Sequence, residues 1–207
     1  MKKNKRVVIV TGGAQGIGAA IAKRFAKSGD KVVIMDISKK KGKRTTEKLG
    51  AKFLYANVVS YPSCRRAMTS TLREFGRIDV VIANAGNNDG LSTEESTPAQ
   101  WEASIRLNLT SVFNTCKPAL PHLPDNGRII AVSSLVGVVG QEHNGPYGAA
   151  KAGILGHVRN LALELAPRAI TVNAICPNAV DTPLLYDWAR KQPNGEKETL
   201  AWTVKTL

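Results

Sequence analysis

The chemistry in this chain gathers around three side chains. Ser134 precedes Tyr147 by thirteen residues, and Lys151 follows Tyr147 by four. Apolar residues at 150, 154, 158, 161 and 165 recur at helical spacing, so a helix is expected over roughly 146–166. Pro146 suits its first turn, where the missing N–H has no partner to lose. Residues four apart on a helix share a face, which puts Tyr147 and Lys151 one turn apart. A phenol with a pKa of about 10 is a weak base at neutral pH. A neighbouring ammonium is expected to lower that pKa by favouring the phenolate. The pair can then deprotonate an alcohol or protonate a developing alkoxide. Ser134 adds a hydroxyl aimed at the reacting oxygen. Tyr-x-x-x-Lys alone fits an exposed helix pair equally well, so the surrounding elements must decide.

Those elements are strands alternating with helices. Val7–Val10 is a continuous apolar run, as in a parallel strand buried on both faces. A turn with Gly12, Gly16 and Gly18 follows, and a helix opens behind it. That arrangement offers backbone N–H groups and a helix N-terminus to a pyrophosphate. The next strand, Lys31–Met35, ends at Asp36, placed to accept from a ribose diol and to repel a 2′-phosphate. NAD is therefore expected over NADP, although Lys39, Lys40, Lys41, Lys43 and Arg44 stand close by. Further strands are expected at Lys52–Val58, Asp79–Ala83, Arg128–Val132 and Ile170–Cys176. Between them, Ser60 caps one helix, and Thr97-Pro98 starts another that buries Trp101, Ile105, Leu109, Val112 and Phe113. Asn108 falls mid-helix, where its low propensity marks either a surface site or a functional irregularity. The fold class expected is α/β: one doubly wound parallel sheet with helices on both faces. Ligands in such sheets bind beyond the C-terminal strand ends. Gly12–Gly18, Asp36, Asn57, Val58, Asn84, Ala85, Gly86, Ser134 and Pro177 all fall there.

Composition bounds the alternatives. The 207 residues, 43% of them hydrophobic, suit a single domain with a substantial core. No apolar run is long enough to cross a membrane. Cys64, Cys116 and Cys176 fit neither a disulfide framework nor zinc spacing, so core thiols in a reducing cytoplasm are expected, and no metal. The net charge of +13 is concentrated in residues 1–52, which carry 15 Lys/Arg against three acids. The basic runs at 2–6 and 39–44 lack interleaved aromatics and a nucleic-acid motif, so a solvated face is expected rather than a nucleic-acid partner.

Thr11-Gly-Gly-Ala-Gln-Gly-Ile-Gly18, Asn84-Ala-Gly86, Asn108, Ser134 and Tyr147-Gly-Ala-Ala-Lys151 stand in an order and spacing that resemble the short-chain dehydrogenase/reductase family. Pro177, Val180 and Thr182 match as well, and the likeness runs from Val7 to about Leu185. The resemblance implies a Rossmann-type oxidoreductase moving hydride between an alcohol or ketone and NAD. Tyr147 would be the acid/base, and Lys151 would lower its pKa and bind the nicotinamide ribose. Ser134 would hold the substrate oxygen, and Asn108 would support a proton relay. Gly12, Gly16, Ile17 and Gly18 would bind pyrophosphate, with Gln15 in the same cofactor-binding turn. Asn57 and Val58 would flank adenine, Asn84, Ala85 and Gly86 the adenosine side, and Pro177, Val180 and Thr182 the nicotinamide. Residues 183–207 would form a substrate lid, with Tyr186 and Trp188 in it and His143 nearby. Asn57 stands where the family usually has Asp, Ala83 where it often has Asn, and Asn178 where Gly is usual. The family also continues with a further helix and strand that this sequence does not supply, so an exposed edge at Ile170–Cys176, lowered stability and homo-oligomer formation are expected. The competing reading is a weakly active or non-catalytic NAD-binding scaffold.

Overall fold

The computed structural model describes residues 5–192 and 194–205. Its strands are β1 (Val7–Thr11), β2 (Lys31–Asp36), β3 (Lys52–Tyr55), β4 (Val80–Ala83), β5 (Arg128–Val132) and β6 (Thr171–Ile175). All pairings are parallel, in the order β3-β2-β1-β4-β5-β6. The third strand is shorter than its sequence suggests: β3 stops at Tyr55, which leaves Ala56–Val58 to turn out beside the ligand face.

Strand side chains alternate faces, and each face has its own core. Ile9, Val33, Met35, Val81 and Ile129 pack with residues of α3 (Tyr61–Phe75), α5 (Ser111–Cys116) and α6 (Gly145–Leu165). Val8, Val10, Ile34 and Ile82 pack on the other side with Ala22, Ile21 and Phe25 of α1 (Gly16–Lys27). On that same side Gly42 of α2 (Lys39–Leu49) lies against Phe53. Each fully buried Ile or Val contributes roughly 1.5–3 kcal/mol, and such residues dominate the central strands β1 and β4.

Helix starts follow the local chemistry. Ser60 accepts from the Ser63 amide ahead of α3, and Gly76 ends that helix with φ 75°. Thr97 and Gln100 form a reciprocal capping box on α4 (Pro98–Ile105). The helix does not continue regularly: Arg106–Thr110 is a π-helical turn, and Asn108 stands inside it. The irregularity anticipated at Asn108 is therefore real, and Asn108 is buried. Two expectations for this helix fail. Trp101 is 37% and Phe113 46% exposed, whereas Val112 is buried in the sheet core and Leu109 packs against it.

Two short helices, α7 (Pro183–Ala189) and α8 (Gly195–Lys205), close the described chain. They fall in the segment expected to form the lid, whose last residues, Thr206 and Leu207, lie outside the described residues. Strand β6 stands at the edge of the described sheet. No described helix is long and apolar enough to cross a membrane.

Candidate active site

The strand order reverses between β1 and β4, where the loops behind two adjacent strands part and leave a crevice. The glycine turn after β1 forms one wall. Gly12 has φ 62°, and a Cβ there would come within 2.9 Å of the Ala85 Cα, so the close approach of the two loops requires glycine. At the start of α1, Gln15 makes no capping bond and no acid occupies the first turn. Those amides stay available to an anion, as the binding of a pyrophosphate requires.

Asp36 is held by two backbone donors. Its Oδ2 accepts from Ala14 N at 3.1 Å and its Oδ1 from Ser38 N at 2.8 Å. A carboxylate has about four acceptor positions, so each oxygen can still take a ribose hydroxyl. Of the nearby lysines, Lys41 donates to Gln15 Oε1 at 2.6 Å, and Lys39 lies over the Tyr55 ring. The side-chain oxygen of Asn57, a residue expected to flank adenine, already accepts from Val59 N at 3.2 Å.

The loop after β4 is tied to the glycine turn from both sides. Thr11 Oγ1 accepts from the Asn84 and Ala85 amides, and Asn84 Nδ2 donates to Thr11 O and Gly12 O. Gly86 then passes so close to the π turn that a Cβ would sit 2.7 Å from Asn108 Oδ1 and 3.4 Å from Lys151 Nζ. Asn108 Oδ1 accepts from Asn87 N at 3.0 Å, and its Nδ2 donates to Ser104.

Tyr147 and Lys151 project from the first turns of α6, and Ser134 stands just past β5. Lys151 is 4% exposed, its Nζ donates to Val132 O at 2.9 Å, and it lies 5.4 Å from the centre of the Tyr147 ring. Burial pulls the lysine down from 10.5 to about 8, with the Cys176 charge opposing. The effect expected on Tyr147 is not what this geometry produces. Burial raises the phenol, and a hydrogen bond with Ser134 only partly opposes it. Ser134 Oγ also accepts from Val136 N at 3.3 Å.

A cavity of about 690 Å³ runs from the glycine turn to Tyr147 and on to α7. It is lined by Gly12, Gln15, Gly16, Ile17, Gly18, Asp36, Asn57, Val58, Asn84, Ala85, Gly86, Ser134, Tyr147, Lys151, Pro177, Val180 and Thr182. Asn108 does not line it and sits behind Gly86. His143 is outside too; it faces Glu95 at 3.6 Å in a separate depression. Tyr186 turns to solvent and donates to Asp181, whereas Trp188 is buried in the wall. Thr11, Asn87, Asn88, Gln141 and Asn144 escaped sequence reasoning. Asn144 reads as a helix cap, yet its amide accepts from Asn88 Nδ2 at 2.7 Å. Cys64 and Cys116 are buried thiols pushed up to about 11 and about 12, and Cys176 is only half-buried. Among the described residues no cluster of three or more His, Cys, Asp or Glu could hold a metal.

The dinucleotide fits what is present: uncapped amides at the α1 start, a carboxylate one strand over, and a cavity within the usual range for small-molecule sites. Known proteins share the fold. Levodione reductase superposes with TM-score 0.89 at 30% identity, covering 94% of this chain and 80% of that one. An actinorhodin polyketide ketoreductase solved with NADPH gives TM-score 0.83 at 33% identity, covering 87% and 72%. L-fucose dehydrogenase of Oryctolagus cuniculus is 39% identical over 192 residues, 91% of this chain and 68% of that protein. The family model described as short chain dehydrogenase matches residues 6–193, and the chain belongs to that family.

Proposed function

We propose that this protein is an NAD-linked oxidoreductase of secondary alcohols and ketones with Tyr147 as its acid/base. The observation that carries this reading is the grouping of Tyr147, Ser134 and Lys151 on one wall of a cavity that continues into the glycine turn. When bound, the nicotinamide supplies the hydride acceptor or, reduced, the donor. Ser134 holds the reacting oxygen by hydrogen bonding. Tyr147 gives its hydroxyl proton to that oxygen in carbonyl reduction and removes it in alcohol oxidation. Lys151, held by Val132 O, places positive charge beside the phenol and the ribose site. Asn108 keeps Gly86 and Asn87 in place behind Lys151 and supports proton relay there.

NAD is favoured because Asp36 is fixed as an acceptor at the second strand end and would repel a 2′-phosphate. The nearby cations would favour NADP, but Lys41 donates to Gln15 and Lys39 lies over the Tyr55 ring. Residues 183–207 act as the substrate lid, supported by Leu184, Leu185 and Trp188 in the cavity wall. Homo-oligomer formation is part of the same reading; exposed Trp101 and Phe113 support it, and sedimentation measures it.

The test is Tyr147→Phe. It removes one hydroxyl and little packing, so NADH binding should persist while turnover of an alcohol and ketone panel falls by at least about a thousandfold. A variant that keeps most of the wild-type kcat rules out the acid/base role. A kcat/KM higher with NADP than with NAD rules out the cofactor assignment.

A further inference from the structure

We infer that the outer surface of α1 and α2 binds a single-stranded nucleic acid, at a site separate from the oxidoreductase cavity. The two helices lie side by side on one face of the sheet. Helix α2 carries Lys39, Lys40, Lys41, Lys43, Arg44 and Lys48 against a single acid, Glu47, and all of these are exposed. Helix α1 adds exposed Lys23, Arg24 and Lys27 and no acid. Ion pairs form elsewhere among the described residues, but none of them includes a charge from either helix. The charges also work against the helix that carries them. Lys39, Lys40 and Lys41 stand in its first turn, where the helix dipole disfavours cations and Ser38 makes no capping bond. Lys39 and Lys43, Lys40 and Arg44, and Arg44 and Lys48 repel one another at four-residue spacing. Local stability set against charge in this way marks a binding surface, since a face that only needed solvation would mix the two signs.

Charge alone would suit any polyanion, and the fold adds a feature that chooses among them. The 39–44 run holds no aromatic residue, but β3, the edge strand beside α2, ends in Tyr55. Tyr55 is 52% exposed, and Lys39 Nζ lies 5.4 Å from its ring centre. A solvent-facing ring among cations is a platform on which an unpaired base stacks while the cations follow the phosphates. A duplex keeps its bases stacked on one another and leaves the ring without a role. An anionic membrane is a poorer match, because every exposed residue of α2 is charged and none is an apolar anchor. Neither Tyr55 nor any residue of α2 lines the dinucleotide cavity.

The experiment follows the fluorescence anisotropy of labelled oligouridylate and oligothymidylate, each about 20 nucleotides long so as to exceed a single site. The full chain is titrated in with and without excess NADH. If about four phosphates are neutralised, affinity should fall about fiftyfold between about 50 and about 200 mM salt. Neutralising Lys40→Gln, Lys43→Gln and Arg44→Gln together should reduce the slope of log affinity against log salt by about 2. Tyr55→Leu should weaken binding about tenfold at every salt concentration and leave that slope unchanged, while Tyr55→Phe should bind as wild type does. The phenylalanine variant separates loss of the ring from loss of the fold. No binding of either oligonucleotide at about 50 mM salt overturns the inference. Wild-type affinity in Tyr55→Leu, or tighter binding of phosphatidylserine vesicles or polyglutamate than of either oligonucleotide, overturns the nucleic-acid assignment. Displacement by NADH would put the oligonucleotide in the dinucleotide cavity and overturn the separate surface. None of these outcomes bears on the oxidoreductase reading, which turnover tests by itself.

Discussion

Lys151→Met probes the electrostatic cost built into the site. The ammonium is 4% exposed, and its pKa drops from 10.5 to about 8 because burial disfavours the charge. At neutral pH that shift corresponds to a penalty on the order of 3 kcal/mol. Methionine removes the charge but leaves Val132 O without its donor, which costs about 1–3 kcal/mol. The two nearly offset, so stability near neutrality should differ from wild type by no more than about 2 kcal/mol. The pH dependence separates them. Between the folded and unfolded pKa values the unfolded chain binds more protons, so wild-type stability rises with pH through that window. Below about pH 8 both states are protonated and the penalty is constant. From about pH 7 to about pH 9.5 the wild type should gain about 2 kcal/mol over the variant. Tyr147 is present in both proteins, so subtraction removes its contribution. Urea midpoints of the two proteins at matched pH measure this, and turnover on the same samples should drop to background. Parallel stability curves across that range would refute a depressed Lys151.

Three further outcomes follow from the same geometry. Tyr147 is raised above its ordinary value and stays protonated at neutral pH, so alcohol oxidation should keep climbing with pH into the alkaline range, while carbonyl reduction falls as Lys151 discharges around pH 8; matched pH profiles in both directions check the signs. Gly86→Ala should displace Asn108, break its bond to Asn87 N, lower stability by about 1–3 kcal/mol and reduce kcat; melting and turnover at wild-type levels would show that the approach relaxes freely. Thr97→Ala should cost about 1 kcal/mol by opening the capping box, with kcat preserved because the cap is remote from the cavity.

The sequence alone was enough to determine the alternating strands and helices, and with them the parallel sheet. Apolar runs such as Val7–Val10 have no stable place but between two helix layers, and glycine and proline punctuate the chain where the elements stop. It also placed the Tyr147–Lys151 pair on one helix face, since residues four apart cannot avoid sharing one. Even the break at Asn108 was legible as a local propensity out of place.

Tertiary structure decided what each group can do. Spacing puts an ammonium near a phenol, but only packing shows that Lys151 donates to Val132 O and that burial raises Tyr147 instead of lowering it. Periodicity marks Trp101 and Phe113 as buried, whereas both are exposed in the fold, and a π turn that the periodicity does not show separates them. Trp188 and Tyr186 look alike in the sequence, two aromatics two residues apart; the fold buries one donor beside the cavity and leaves the other in solvent. Such differences arise from desolvation and from contacts between residues distant in the chain, and neither is a property of a local run of amino acids.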